Sequence, residues 1–138
     1  MLVKEIMTQK LESIPPTSTL HEAARTMRDL NLGSLPVADN GKLIGMITDR
    51  DICCRAVASG LDPARTTVRE IMSRDISFCF SDDNVNEAVR QMEGLHIRRL
   101  AVLNHDKSIA GFLSVDDLAH YSRLLAGGVL DSVRPVQH

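Results

Sequence analysis

Apolar side chains recur at helical spacing in two stretches of the chain. Leu20, Ala23, Ala24, Met27 and Leu30 fall on one face, and Val85, Ala88, Val89, Met92 and Leu95 repeat the pattern, which is the spacing of an amphipathic helix. A start signal precedes each. Thr19 with Glu22, and Asn84 with Glu87, have the spacing of an N-cap reciprocated by an acid at the third helical position. A short β-type run follows each helix, Ser34-Leu35-Pro36-Val37 or Arg99-Leu100-Ala101-Val102, and then a polar turn, Asp39-Asn40-Gly41-Lys42 or Asn104-His105-Asp106-Lys107. These read as hairpins. The return strands, 43–48 and 108–114, lead into second helices expected over about 50–59 and 116–125. Leu11 to Ile14 and Ile76 to Phe80 can each supply one more strand ahead of the first helix. The expected order is therefore β-α-β-β-α, twice, in a mixed α/β (α+β) fold.

The polar positions repeat as well. Lys4-Glu5-Ile6-Met7-Thr8 returns as Arg69-Glu70-Ile71-Met72-Ser73, and Gly45-Met46-Ile47-Thr48 with Asp51-Ile52 returns as Gly111-Phe112-Leu113-Ser114 with Asp117-Leu118. The offset is 72 − 7 = 65 at the start and 111 − 45 = 66 at the end, which places one extra residue most simply in the turn before Gly111. Two copies of one unit are expected, over 3–59 and 68–125, joined by a Gly- and Pro-containing linker at 60–67. A tail at 126–138, beginning beside Gly127-Gly128, is expected to be loosely held. Repeats of this kind build their working surface between copies.

Composition narrows the function. The 138 residues, 43% hydrophobic, suit one domain of two lobes, each marginal by itself. A net charge of −2, with three Phe, one Tyr and no Trp, argues against a nucleic-acid partner. No apolar run approaches the roughly 20 residues that cross a bilayer, and Met1-Leu2-Val3-Lys4-Glu5 lacks a signal-peptide core. A cytoplasmic protein with no membrane partner is expected. Cys53, Cys54 and Cys79 lack metal-ligand spacing and read as small apolar side chains. His21, His96, His105, His120 and His138 form no pair at ligand spacing, so no metal site is expected. His96 lies near Arg98 in sequence and is a candidate ligand contact. No nucleophile with a base at readable spacing, and no Walker-type loop, points to catalysis.

With these pieces in order twice, the chain resembles a tandem pair of CBS domains, the Bateman module, across about residues 3–124. The matching residues are the Ile-Met-Thr or Ile-Met-Ser opening, the Leu35-Pro36-Val37 strand and the Gly-x-x-Thr/Ser-x-x-Asp closing motif; Thr48-Asp49-Arg50-Asp51-Ile52 is similar to stand-alone bacterial regulators of that family. The resemblance implies two CBS repeats packed with pseudo-twofold symmetry into one module, two clefts for adenosine-containing ligands, and a disc-shaped homodimer. It implies that Asp51 and Asp117 hold ribose, and that Thr48 and Ser114 bind sugar or phosphate. Family geometry crosses the copies, so Arg98 and Arg99 are expected to reach a phosphate in the Asp51 cleft, while Gly33, Ser34 and Arg50 face the Asp117 cleft. Asp49 belongs to the first motif, and Asp116 adds negative charge where Arg50 stands in the other copy. Ile14, Leu35, Phe78 and Leu100 are candidate walls for the adenine.

The residues themselves support a phosphate at the start of each second helix, where backbone N–H groups lack helical partners, and a diol on a nearby carboxylate. The same Thr48-x-x-Asp51 and Ser114-x-x-Asp117 spacing also describes an ordinary capping box. Two functions stand side by side. One is a non-enzymatic sensor of AMP, ADP, ATP, NAD or S-adenosylmethionine, in which ligand bound between the repeats changes conformation or partner contacts. The other is a ligand-free assembly module whose motifs only cap helices.

Overall fold

The computed structural model describes residues 1–9 and 12–133, and the chain divides into two compact units. One is contiguous, Glu12–Ile76; the other is split, joining Met1–Leu11 to Ser77–His138.

In the contiguous unit helix α1, Leu20–Leu30, begins where Thr19 Oγ1 accepts from Glu22 N at 3.1 Å and ends at Asn31 in the left-handed region, φ 55°. Strands β1, Ser34–Asp39, and β2, Lys42–Thr48, form an antiparallel hairpin. Asn40 and Gly41 turn it with φ 52° and 77°, the positive pair that matches strand twist in a two-residue loop. Helix α2, Asp49–Asp51, runs on through Ile52–Val57 with π-type turns, as in Ala58 N to Cys53 O at 3.0 Å. Helix α3 is Val68–Ile71. Leu20, Leu35, Val37, Ile47, Val68 and Ile71 lie in the core of this unit.

The split unit starts with a 3₁₀ turn at Val3–Glu5 and continues with β3, Phe78–Phe80, and α4, Val85–Leu95. Strands β4, Arg99–Leu103, and β5, Ile109–Ser114, are followed by α5, Val115–Tyr121, and α6, Arg123–Ser132. Its sheet has the order β3-β4-β5, parallel then antiparallel. Val3, Met92, Leu100, Val102, Leu113 and Leu118 lie in its core.

The compact units exchange the opening segments of the sequence repeats. Val3 packs with the body of the second copy, and Val68, Ile71 and Met72 pack with the first. Backbone bridges Thr8↔Phe112 and Met46↔Ser73 tie these segments to β5 and β2. This close approach favours glycine at the facing positions, most strongly at Gly111. A Cβ on Gly45 would lie 2.6 Å from Met72 Sδ, and one on Gly111 would run into the Thr8 carbonyl oxygen. The extra residue of the second copy is located by register: Val37 pairs with Gly45 and Val102 with Gly111, separations of 45 − 37 = 8 and 111 − 102 = 9.

Several local expectations are corrected. The strand expected at Leu11–Ile14 is a single parallel bridge, Ile14↔Val37; Leu11 lies outside the described residues, and Pro15-Pro16 supplies no N–H to extend the ladder. The Ile76–Phe80 strand shortens to Phe78–Phe80. Asn84 accepts from Asn86 N, so Glu87 closes no box with it. The linker at 60–67 packs on the start of α1, where Leu20 N donates to Thr66 O at 2.9 Å and His21 N to Pro63 O at 3.1 Å. The helix expected over 116–125 breaks at Ser122, whose hydroxyl caps α6. The segment after Gly127-Gly128 is helical to Ser132 rather than loose, because Ala126 and Val129 are core residues. Residues 134–138, His138 among them, lie outside the described residues.

Candidate functional site

Each closing motif folds into the same reciprocal cap. At the first strand-to-helix junction Asp51 N donates to Thr48 Oγ1 and Thr48 N donates to Asp51 Oδ2, both at 3.0 Å. At the second, Asp117 N donates to Ser114 Oγ at 3.2 Å and Ser114 N to Asp117 Oδ2 at 2.9 Å. Both carboxylates are half-buried. One oxygen of each is thus committed to the fold, and the second oxygen is where the copies part. Asp51 Oδ1 lies 3.9 Å from Arg55 Nη1, which donates to Ile71 O at 2.7 Å. Asp117 Oδ1 accepts from Thr8 Oγ1 at 2.9 Å.

The expectation that helix-start N–H groups await a phosphate is corrected at the first junction. Asp49 N donates to Gly33 O at 3.0 Å, Arg50 N to Asp49 Oδ1 at 2.8 Å and Asp51 N to Thr48 Oγ1. At the second junction Val115 N is taken by Arg98 O at 3.0 Å. At the first junction a phosphate would have to be held by side chains. Arg50, Arg98 and Arg99 are exposed, and the Arg99 guanidinium carbon lies 5.9 Å from the Phe112 ring centroid. Asp49 and Asp116 are exposed beside them, and Asp49 reaches back over Gly33.

The proposed adenine walls are largely misplaced. Ile14, Leu35 and Leu100 are core residues, with 5%, 0% and 0% exposure, so they have no surface to give a base. Strand alternation sends their neighbours to the other face. On β3-β4-β5 that face carries Phe78, Ala101 and Phe112, which are cross-strand partners; on the β1–β2 hairpin it carries Pro36 paired with Met46, beside Ser34 paired with Thr48. Phe78, at 38% exposure, is the one expected wall residue with open surface. Arg55 was readable as a partner four residues along a helix from Asp51. Thr8 stood in the repeated opening motif, but nothing in sequence brings it to Asp117, 109 residues away.

Other candidates resolve simply. His96 is the left-handed C-cap of α4, with Nδ1 at 2.8 Å from Ser132 O. Cys79 is buried, and desolvation with the nearby Asp83 charge pushes its thiol up to about 12, so it stays protonated and inert. Cys53 and Cys54 are exposed rather than packed, Ala56 being the buried residue of this stretch. Cys53 lines an open cavity of about 240 Å³ with Ala24, Met27, Asp49, Ile52 and Val57. Among the described residues no group of three or more His, Cys, Asp or Glu could hold a metal ion, and no helix is long and apolar enough to cross a membrane.

The repeated junction has counterparts in known proteins. The CBS domain family matches residues 3–56 and 68–124, covering both copies. The chain belongs to the CBS domain family. As a tandem CBS pair it is 35% identical over 133 residues to the CBS domain-containing protein YhcV of Bacillus subtilis, covering 95% of this chain and 94% of that one. It is similar to the crystal structure of Hypoxic Response Protein I with two coordinated zinc ions, at 30% identity and TM-score 0.79 over 88% of this chain and 99% of that one. It is also similar to the CBS domain pair of protein MJ0100 in complex with 5′-methylthioadenosine and S-adenosyl-L-methionine, at 27% identity and TM-score 0.75, over 88% of this chain and 94% of that one. The mixed helix-and-strand fold is that of these neighbours.

Proposed function

We propose that this CBS pair is a non-enzymatic regulatory module that binds an adenosine-containing ligand and changes its conformation or partner contacts in response. The carrying observation is the repeated half-buried carboxylate, Asp51 and Asp117, each placed by a cap that uses Oδ2 and leaves Oδ1 directed elsewhere. A carboxylate oxygen can take a further hydrogen bond from a ribose hydroxyl. The MJ0100 complex with two adenosine compounds supports the ligand class. Adenosine, AMP, 5′-methylthioadenosine and S-adenosylmethionine fit better than ADP, ATP or NAD, because the N–H groups at the first junction are taken and Asp49 and Asp116 repel added phosphate. Arg98 and Arg99 supply forked contacts to a single phosphate. Phe78 and, in part, Phe112 offer apolar surface to the base. A ligand that preferred no one arrangement would regulate nothing; a coupling of about 1–3 kcal/mol is typical.

The second reading, a ligand-free assembly module, draws on the closed capping boxes, which already satisfy the motif. Exposed Leu95, Tyr121, Leu124 and Leu130 on the split unit support a homodimer under either reading. Thermal unfolding in the presence of each nucleotide separates the two. A ligand at 100 times its dissociation constant stabilises by about 2.7 kcal/mol, a rise of roughly 5–10 °C in Tm for a chain of this size. Asp51→Ala should abolish most of that rise; an unchanged Tm with all ligands would leave the assembly reading.

A further inference from the structure

We infer that the Thr8 hydroxyl is an internal competitor for the Asp117 carboxylate, so that ligand binds there most tightly when Thr8 turns away; this rests on the nucleotide reading above. Thr8 Oγ1 donates to Asp117 Oδ1 at 2.9 Å, while Oδ2 of the same carboxylate accepts from Ser114 N and Ser114 Oγ. Oδ2 therefore already carries two hydrogen bonds, and Oδ1 shares its acceptor capacity with Thr8 before any ligand arrives. The bond is not an accident of a loose terminus. Thr8 N donates to Phe112 O at 2.8 Å and Phe112 N to Thr8 O at 3.0 Å, which pins the Thr8 backbone beside β5. Only the hydroxyl has to move. Rotation about one side-chain bond releases Oδ1 and leaves that backbone ladder intact.

The other copy serves as an internal control. Ser73 occupies the position of Thr8, at 73 − 8 = 65, and its backbone is held in the same way by Met46. Among the described residues its hydroxyl makes no hydrogen bond to Asp51, whose Oδ1 instead faces the Arg55 guanidinium at 3.9 Å. Asp117 also lines an open cavity of about 320 Å³ with Met1, Glu5, Ile6, His120 and Tyr121, so an approaching hydroxyl has room. The two carboxylates thus differ in their readiness for a diol, and at Asp117 the difference is set by Thr8. It is a specificity-determining residue for which junction fills first.

The test isolates the second junction by placing Thr8 variants in an Asp51→Ala background and measuring AMP affinity by isothermal titration calorimetry. Thr8→Val, which keeps the shape and removes the donor, should tighten AMP about tenfold, the scale of one hydrogen bond to a charged group. Thr8→Ser should leave the affinity as it was. Unchanged or weakened binding in Asp51→Ala/Thr8→Val, with AMP still bound by the otherwise wild-type chain, overturns the competition and leaves the nucleotide reading standing. No AMP binding in the wild type or in Thr8→Val takes down that reading, and the inference with it.

Discussion

The junction at Thr48–Asp51 and the junction at Ser114–Asp117 are built on one plan and surrounded differently. Both close a reciprocal cap with hydrogen bonds of 2.9–3.2 Å. Beyond the cap the first runs into π-type turns and meets Arg55, while the second runs into a regular α5, where Tyr121 stands at Arg55's place, and meets Thr8. The hydrogen bonds that start a helix have been kept in both copies. What has diverged is the partner of the carboxylate oxygen left outside the cap, Arg55 in one copy and Thr8 in the other. Under the proposed function, the capping and binding roles of one motif separate at the level of a single oxygen atom.

The sharpest way to break this comparison is at the two glycines. Gly111→Ala would press a methyl on the Thr8 backbone oxygen, and Gly45→Ala mainly on the flexible Met72 sulfur. We expect losses of about 3 and about 1 kcal/mol respectively in urea unfolding, within the range for overpacking; equal losses would mean that the two approaches are equally tight. Next come the caps. Thr48→Ala and Ser114→Ala should each lose about 1 kcal/mol, and a large inequality would show that one box carries more than capping. The smallest effect is acid sensitivity. The His105 side chain at 2.8 Å lowers the Asp82 carboxyl below its ordinary 3.8 in the split unit, and the Thr67 N–H lowers Glu70 below 4.5 in the contiguous one. Each contribution is present above those ordinary values and fades as pH falls through the lowered ones. Wild type should thus lose stability more steeply on acidification than His105→Ala or Glu70→Gln; parallel curves would remove these groups from the acid response.

Much of the fold was legible because it rests on local periodicity and caps. The buried stripes of α1 (Leu20, Ala23, Met27) and α4 (Val85, Ala88, Val89, Met92), the Asn40-Gly41 turn and the added residue before Gly111 appear where the sequence pattern puts them, while Ala24, Leu30 and Leu95, expected on the same faces, are exposed. The break at Ser122 and the burial of Ala126 and Val129 were not legible, since a Gly-Gly pair reads as loose until a core is seen to cover it. At the site the two carboxylates and their caps could be read from spacing. The walls could not be assigned properly, because Leu35 and Leu100 look like ideal base-stacking surface until strand alternation assigns them to the core. Thr8 is illegible for a plainer reason: its partner is 109 residues downstream.

The exchange of opening segments has a consequence for anyone who would cut this chain. Connectivity makes Glu12–Ile76 an insertion within the other unit, whose two pieces are Met1–Leu11 and Ser77–His138. A gene severed between the repeats, at 60–67, would send Val68, Ile71 and Met72 away with the wrong half and strip both cores at once. A circular permutant or a deletion designed around the insertion points near 11 and 77 respects the packing instead. The natural seams of the molecule are those of a guest lodged in a host, not those of two beads on a string.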